Sequence, residues 1–291
     1  MKKQKQKKPW WVELLSWVAT ILAAAIVALL VKGFVVELVR VDGESMLDTL
    51  QHGEIMVVTK YDYGSFWTAL PWQSTEAQEL STRFNIGGGT INRFDVAVVR
   101  YPGSGTINYV KRIVGLPGDR ISLKDGFLYV NGAVCDEPYV SEKYRLADVE
   151  SIGDEIVVDF LSNLDEFVIP RSGDLVTFVA SAEEQGAVEL LVNGQPGCWY
   201  GIASDLVDDD GNVLRVNVSG IYLNGEDMLG SDRLGELIGK QYKLKDDLYF
   251  VMGDHRNNSS DSRFIGPVNR SDIIGHVRQV VFPFADWRGV E

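Results

Sequence analysis

The chain has 291 residues, enough for a sizeable core in one or two domains, and its 24% charged and 45% hydrophobic content excludes wholesale disorder. The net charge of −13 is unevenly placed: six of the 28 basic residues but only one of the 41 acidic ones (Glu13) precede residue 33, so the remainder carries −18. A body that acidic repels nucleic acid and anionic headgroups, which excludes nucleic acid as a partner through bulk charge. Three histidines and two far-separated cysteines, Cys135 and Cys198, leave too few ligands for a metal site. A disulfide and two separate thiols both fit that cysteine pair.

Residues 1–9 form a lysine-rich tail. Trp10 to Val31 reads WWVELLSWVATILAAAIVALLV, and Leu14 to Val31 alone gives 18 residues without a charge, near the length that crosses a ~30 Å hydrocarbon core. Trp10 and Trp11 fit an interfacial belt, Lys32 closes the far end, and the five earlier lysines predict a cytoplasmic N-terminus. Residues 10–32 are therefore expected to be a single-pass anchor in the cell membrane, with everything after Lys32 outside the cytoplasm. A cleaved secretory signal shares this pattern, but Val31-Lys32-Gly33-Phe34-Val35-Val36 offers no small-x-small cleavage site. Apolarity on all faces argues against a buried core helix.

Beyond residue 33 strand patterns dominate, so the soluble part is expected to be mainly β. Phe34–Val41, Glu54–Val58 and Asp95–Tyr101 are short β-rich runs. Asn-Gly pairs at 131–132, 193–194 and 224–225 predict hairpin turns, and Asp208-Asp209-Asp210-Gly211 another turn. Residues 64–90 look like a loop insertion carrying Phe66, Trp67, Leu70, Pro71 and Trp72; these aromatics fit either the lipid interface or the protein's own core. The expected organisation is a core in two parts, 33–120 and 245–291, interrupted by an acidic, β-rich inserted lobe at 121–244 that carries no chemical motif.

Ser45 lies in Gly43-Glu44-Ser45-Met46-Leu47-Asp48-Thr49-Leu50, about ten residues beyond the anchor. A serine hydroxyl is a weak nucleophile and needs a positioned base. His52, His255 and His276 do not sit in surroundings that suggest a triad: the first and last read as surface or structural, and His255, between Asp254 and Arg256, as hydrogen-bonded scaffolding. Lys111 is the better base. Along Ile107–Val114 the side chains alternate, so Ile107, Tyr109, Lys111 and Ile113 share one face and Arg112 points to the other. Apolar neighbours disfavour the ammonium and lower the lysine pKa, as a base requires. A lysine snorkelling from the sheet is the commoner case for such a pattern taken alone.

Three stretches together carry a resemblance. Gly43-x-Ser45-Met46-x-x-Thr49-Leu50, Tyr109-Val110-Lys111-Arg112-Ile113-Val114-Gly115-Leu116-Pro117-Gly118-Asp119 and Gly253-Asp254-x-Arg256-x-x-Ser259-x-Asp261-Ser262-Arg263-x-x-Gly266 closely resemble the boxes of the type I signal peptidase family. Arg93-x-Asp95-Val96 through Arg100-Tyr101-Pro102 is similar to the intervening box. The order and the preceding anchor match the single-span, Gram-positive-like form.

The resemblance implies a signal-peptidase-like β-fold and a serine endopeptidase needing no cofactor. It would remove signal peptides from secretory preproteins at the bilayer, after small-x-small sites. Ser45 would be the nucleophile, Lys111 the general base and Ser259 the group orienting the lysine amine. The Ser45 N–H would serve the oxyanion, Met46 would line the substrate pocket, and Arg112, Asp254, Asp261 and Arg263 would brace the site. The chain departs from the family pattern at Asp48 (usually proline), Phe94 (usually glycine) and His255 (usually asparagine), and has Gly43 where some members carry a second oxyanion donor. Two rival readings meet objections in the sequence. A self-cleaving repressor-type protease is opposed by the anchor and the acidic charge. A non-catalytic or narrow-specificity anchored relative that binds secreted or pilin-like partners is opposed by the retention of Ser45, Lys111 and Ser259 together.

Overall fold

The computed structural model describes residues 9–67, 83–85, 89–101, 107–146, 162–180, 182, 188–197, 202–207, 210–211, 213–217, 220–228 and 232–290. Trp10–Phe34 is one 25-residue helix, α1, none of it buried against the protein. It is long and apolar enough to cross a membrane, and fits a single-pass anchor. The sequence pattern starts a strand at Phe34. The helix instead runs through it, and the Val35 N–H closes the last turn on the Val31 carbonyl.

Seven strands build the central antiparallel sheet: β1 (Val36–Arg40), β2 (Ile55–Thr59), β3 (Val96–Val99), β4 (Tyr109–Gly115), β5 (Leu248–Met252), β6 (Val268–Asn269) and β7 (Ile273–Phe282). Their order is β1-β2-β7-β3-β4-β5-β6, and Arg288–Gly289 adds to β7. Strands β3 and β5 are buried at every position. Alternation sends Val96 and Val98 into one cluster with Val41, Met46, Leu50, Met56 and Val277, and Ala97 and Val99 into another with Tyr101, Ile113, Val251 and Ile273. Sheets covered on both faces read as continuous apolar runs, which is what Val96–Val99 and Leu248–Met252 are.

Between Gly115 and Leu248 the chain makes two further antiparallel sheets. The first orders Leu164–Val168, Arg120–Lys124, Phe127–Val130 and Ala133–Val134; the second has eight strands, including Leu175–Ala180, Val188–Val192 and Gln241–Leu244. All three Asn-Gly pairs turn hairpins, with Asn131, Asn193 and Asn224 at φ 50–52°, as two-residue loops of this twist require. Asp125-Gly126, not singled out from sequence, makes a fourth. Val114, Phe250 and Met252 share one core with Ile121, Phe167, Val176 and Tyr242, so this excursion packs directly on β4 and β5.

Within the expected loop at 64–90, Ser65–Trp67 pairs with Arg83–Asn85 as a short hairpin, the aromatic runs being strand formers. Leu70, Pro71 and Trp72 lie outside the described residues, as do Asp208, Asp209 and Cys198. Cys135 is half-buried, and burial raises its thiol pKa. At the end of β7, Phe282, Phe284 (75% exposed) and Trp287 (60%) form an apolar patch on the surface. Phe282 is in register with Ile55, and Ile55 with Arg40, so the patch lies where the chain leaves β1 for the Ser45 loop.

Candidate active site

Strand β1 ends at Arg40 and feeds a tight loop from Asp42 to Leu50, pinned by Leu50 N–H to the Met46 carbonyl (2.7 Å) and by Val41 N–H to the Glu54 carbonyl (2.8 Å). This loop presents Ser45 to β4. The Lys111 Nζ donates to Ser45 Oγ at 2.6 Å. Lys111 is 2% exposed, and burial pushes its amine down from an ordinary 10.5 to about 8. Asp261 and Asp254 oppose that shift and Arg263 adds to it. The contact joins a hydroxyl to an amine whose proton is loosely held, the pair of properties that proton abstraction from serine needs. Alternation along β4 thus brings Lys111 inward, while Ile107, assigned to the same face, lies before the strand and is exposed.

Arg112, on the opposite face, is also buried, a point alternation alone does not give. Its Nε and Nη2 donate to both oxygens of Asp254 at 2.9 and 2.8 Å, and its Nη1 donates to the Phe94 carbonyl at 2.7 Å. The guanidinium lies 3.8 Å over the Tyr139 ring, and Thr49 Oγ1 donates to Asp254. Asp261 accepts from Gly253 N–H (3.0 Å) and from Arg263 Nε (2.9 Å) and Nη2 (3.0 Å). Burial alone would raise the Asp261 carboxyl, but the charge and hydrogen bonds of Arg263 outweigh it and hold it below the usual carboxylate range. Two buried, forked ion pairs therefore flank Ser45 and Lys111, each with its lone pairs satisfied, the condition under which buried pairs are tolerated.

Gly253 supplies the closest backbone approach. A Cβ there would overlap Ser259 Oγ and the Ser45 carbonyl oxygen, so only glycine lets this chain reach the Ser45 loop. The Ser259 hydroxyl is buried beside it, and among the described residues it has no hydrogen-bond partner; it does not bond to Lys111 here. Met46 is buried in the core with Val41, Leu50 and Val98.

Phe94, read from the sequence as standing where the family usually has glycine, sits at φ 74°, the left-handed region that costs an L-residue about 1–2 kcal/mol. Its carbonyl receives Arg112, and its ring lies 5.5 Å from Tyr139. Asp48 is at the surface, 3.4 Å from Lys143.

Several residues of the site carry no sequence signal. Glu137, buried, binds Arg256 and, at 3.1 Å, Arg145. Tyr144 packs 3.9 Å from the His255 ring, and Asn257 Nδ2 donates to the Leu146 carbonyl at 3.3 Å. The strap from Glu137 to Leu146, read from sequence as the start of a motif-free lobe, is thus one wall of the site. Its pairings to Arg256, His255 and Asn257 each span more than a hundred residues, so no local pattern announces them. Along Tyr109–Lys111, β4 pairs with β3 on one side, whereas β5 pairs only from Arg112 onward. Among the described residues the other edge of Tyr109–Lys111 carries no strand.

Residues 14–282 match the family model described as signal peptidase, peptidase S26. Signal peptidase I S of Bacillus subtilis is 24% identical over 276 residues, covering 94% of this chain and 92% of the relative. Signal peptidase IB of Staphylococcus aureus is 24% identical over 276 residues, covering 95% and 93%. Signal peptidase I of Bacillus licheniformis reaches 33% over 147 residues, with the match spanning 50% of this chain and 65% of that relative. A crystal structure of a signal peptidase I from Enterococcus faecalis is 19% identical, with a TM-score of 0.31 over 65% of this chain and 97% of that one. With the family model matched over nearly its whole length, the chain belongs to the signal peptidase family, peptidase S26.

Proposed function

We propose that this signal peptidase is anchored in the cell membrane with its N-terminus cytoplasmic, and cuts exported preproteins after small-x-small sites with Ser45 as nucleophile and Lys111 as base. The observation that carries the reading is the 2.6 Å contact between Lys111 Nζ and Ser45 Oγ, with the amine buried. In the neutral form Nζ accepts the Ser45 Oγ proton as the oxygen attacks the scissile carbonyl. The ammonium then gives that proton to the leaving amine, and the acyl-enzyme forms. Lys111 next takes a proton from water, whose oxygen replaces Ser45 on the carbonyl, and returns it to Oγ. The Ser45 N–H, which has no acceptor among the described residues, is free to hold the oxyanion. Ser259, whose buried hydroxyl has no partner among the described residues, would orient the lysine amine by turning to Nζ, and Met46 would form the floor of the pocket.

An extended substrate would add as a strand to the open edge at Tyr109–Lys111. The exposed aromatics Phe282, Phe284 and Trp287 suit the lipid interface. Anchoring enzyme and substrate in one bilayer raises their effective concentration.

The test is cleavage of a preprotein with an Ala-x-Ala site by the full chain in lipid. Wild type should cut after the second alanine and Ser45→Ala should not; equal turnover by Ser45→Ala would overturn the assignment.

A further inference from the structure

His255 stands where the family usually has asparagine, and the mechanism above gives it no task. It is buried. Its backbone N–H donates to the Ser45 carbonyl at 3.1 Å, and its Nδ1 lies 3.0 Å from the Glu44 carbonyl oxygen. A carbonyl can only accept, so Nδ1 carries the proton. One residue therefore grips two consecutive peptide units on either side of the Ser45 Cα. The ring is held in turn by Tyr144, 3.9 Å away between centroids.

The Glu44–Ser45 peptide is trans, so its C=O and N–H point in opposite directions within one plane. Fixing the carbonyl fixes the N–H. We infer that His255 is a positioning residue that aims and polarises the oxyanion-binding N–H of Ser45 by donating from Nδ1 to the carbonyl of the same peptide; this rests on the peptidase reading above. A hydrogen bond to the carbonyl draws electron density from the amide nitrogen and makes its N–H a better donor. The Glu44 carbonyl also accepts from Leu47 N–H at 3.2 Å, and Gly43 N–H donates to His52 Nδ1 at 3.2 Å; His255 supplies the shorter of the two bonds to that carbonyl and the one that comes from outside the loop. An asparagine amide in the same place has a donor of similar reach.

The experiment uses the full chain in lipid nanodiscs, labelled with carbonyl-13C glutamate and 15N serine. Glu-Ser pairs occur only at 44–45 and 150–151, and Ser45→Ala identifies the first. Steady-state cleavage of the Ala-x-Ala preprotein is measured beside the spectra. His255→Ala should shift the Glu44 carbonyl and Ser45 nitrogen resonances and leave the 150–151 pair in place. It should lower kcat roughly 10²-fold, the scale of losing one oxyanion donor, with KM within about twofold. His255→Asn should return kcat to within about tenfold of wild type.

An unmoved Glu44 resonance, or full kcat in His255→Ala, would overturn the inference. So would a wild-type 15N-histidine spectrum in which His255 Nδ1 bears no proton, a readout that survives even if His255→Ala fails to fold. A wild type inert toward preproteins whose Glu44 resonance still responds to His255 would sink the peptidase reading and leave the grip on the peptide standing.

Discussion

Lys111→Met is the substitution that separates chemistry from stability. Burial takes the Lys111 amine from an ordinary 10.5 to about 8. At about 1.4 kcal/mol for each tenfold change in proton affinity, that is about 3 kcal/mol against the folded ammonium. The sign follows from proton counts. Between pH 8 and 10.5 the unfolded chain holds a proton on this lysine that the folded chain has released, so stability rises with pH across that window. Below about 8 both states are protonated and the full cost is carried. Methionine has similar length and no charge, so Lys111→Met should be more stable than wild type at pH 7 by up to about 3 kcal/mol, roughly 6–12 °C in Tm. The gap should close as pH approaches 10.5.

Under the proposed Ser45/Lys111 chemistry the same shift would also govern rate. The wild-type cleavage rate should rise with pH and level off above about 8, because only the neutral amine accepts the serine proton; Lys111→Met should not cleave. Thermal unfolding followed by near-UV circular dichroism at pH 7, 8, 9 and 10 checks the first part, and preprotein cleavage over the same range the second. A Lys111→Met chain that is less stable at pH 7, or a stability gap constant from pH 7 to 10, would refute the argument from burial.

Further outcomes follow from the other contacts. Arg112→Lys cannot keep the fork on Asp254 or the stack on Tyr139; leaving that carboxylate half-paired in the interior should cost roughly 3–5 kcal/mol in a denaturant titration. Gly253→Ala should abolish cleavage even where the protein still folds, since its Cβ displaces either Ser259 or the Ser45 carbonyl. Glu137→Gln should free the strap and raise proteolytic nicking between 137 and 146, because Arg256 and Arg145 both lose their buried anion. Asp48→Asn should leave Tm and cleavage of the Ala-x-Ala preprotein unchanged, the Lys143 contact being solvent-exposed.

The N-terminal apolar helix, the Asn-Gly hairpins and the inward turn of Lys111 were legible because each rests on a local rule: an apolar length, a turn dipeptide, a period of two. The second buried face of β4 was not. Alternation assigned Arg112 away from Lys111, but what lies on that side depends on Asp254, 142 residues further on, and on Tyr139 from the strap. The family likeness supplied the members of the site without their contacts. It gave Ser259 a bond to Lys111 that the structure lacks, and it passed over Glu137 and Tyr144. Phe94 was visible only as a missing glycine; the structure adds that its carbonyl and ring are both in use, by Arg112 and Tyr139.

In the proposed binding mode the edge at Tyr109–Lys111, which carries no strand among the described residues, would act as a ruler. A strand laid on it advances about 3.3 Å per residue, and neighbouring side chains face opposite ways. Sliding a substrate by one residue turns every side chain to the wrong face. Sliding by two restores the faces but carries the scissile carbonyl about 7 Å from Ser45 Oγ. Under the proposed binding mode, cutting one residue early or late is a mismatch of the whole segment. The place of the cut is then fixed by the backbone pairing of a short stretch of sheet, with the two small side chains serving to confirm the phase.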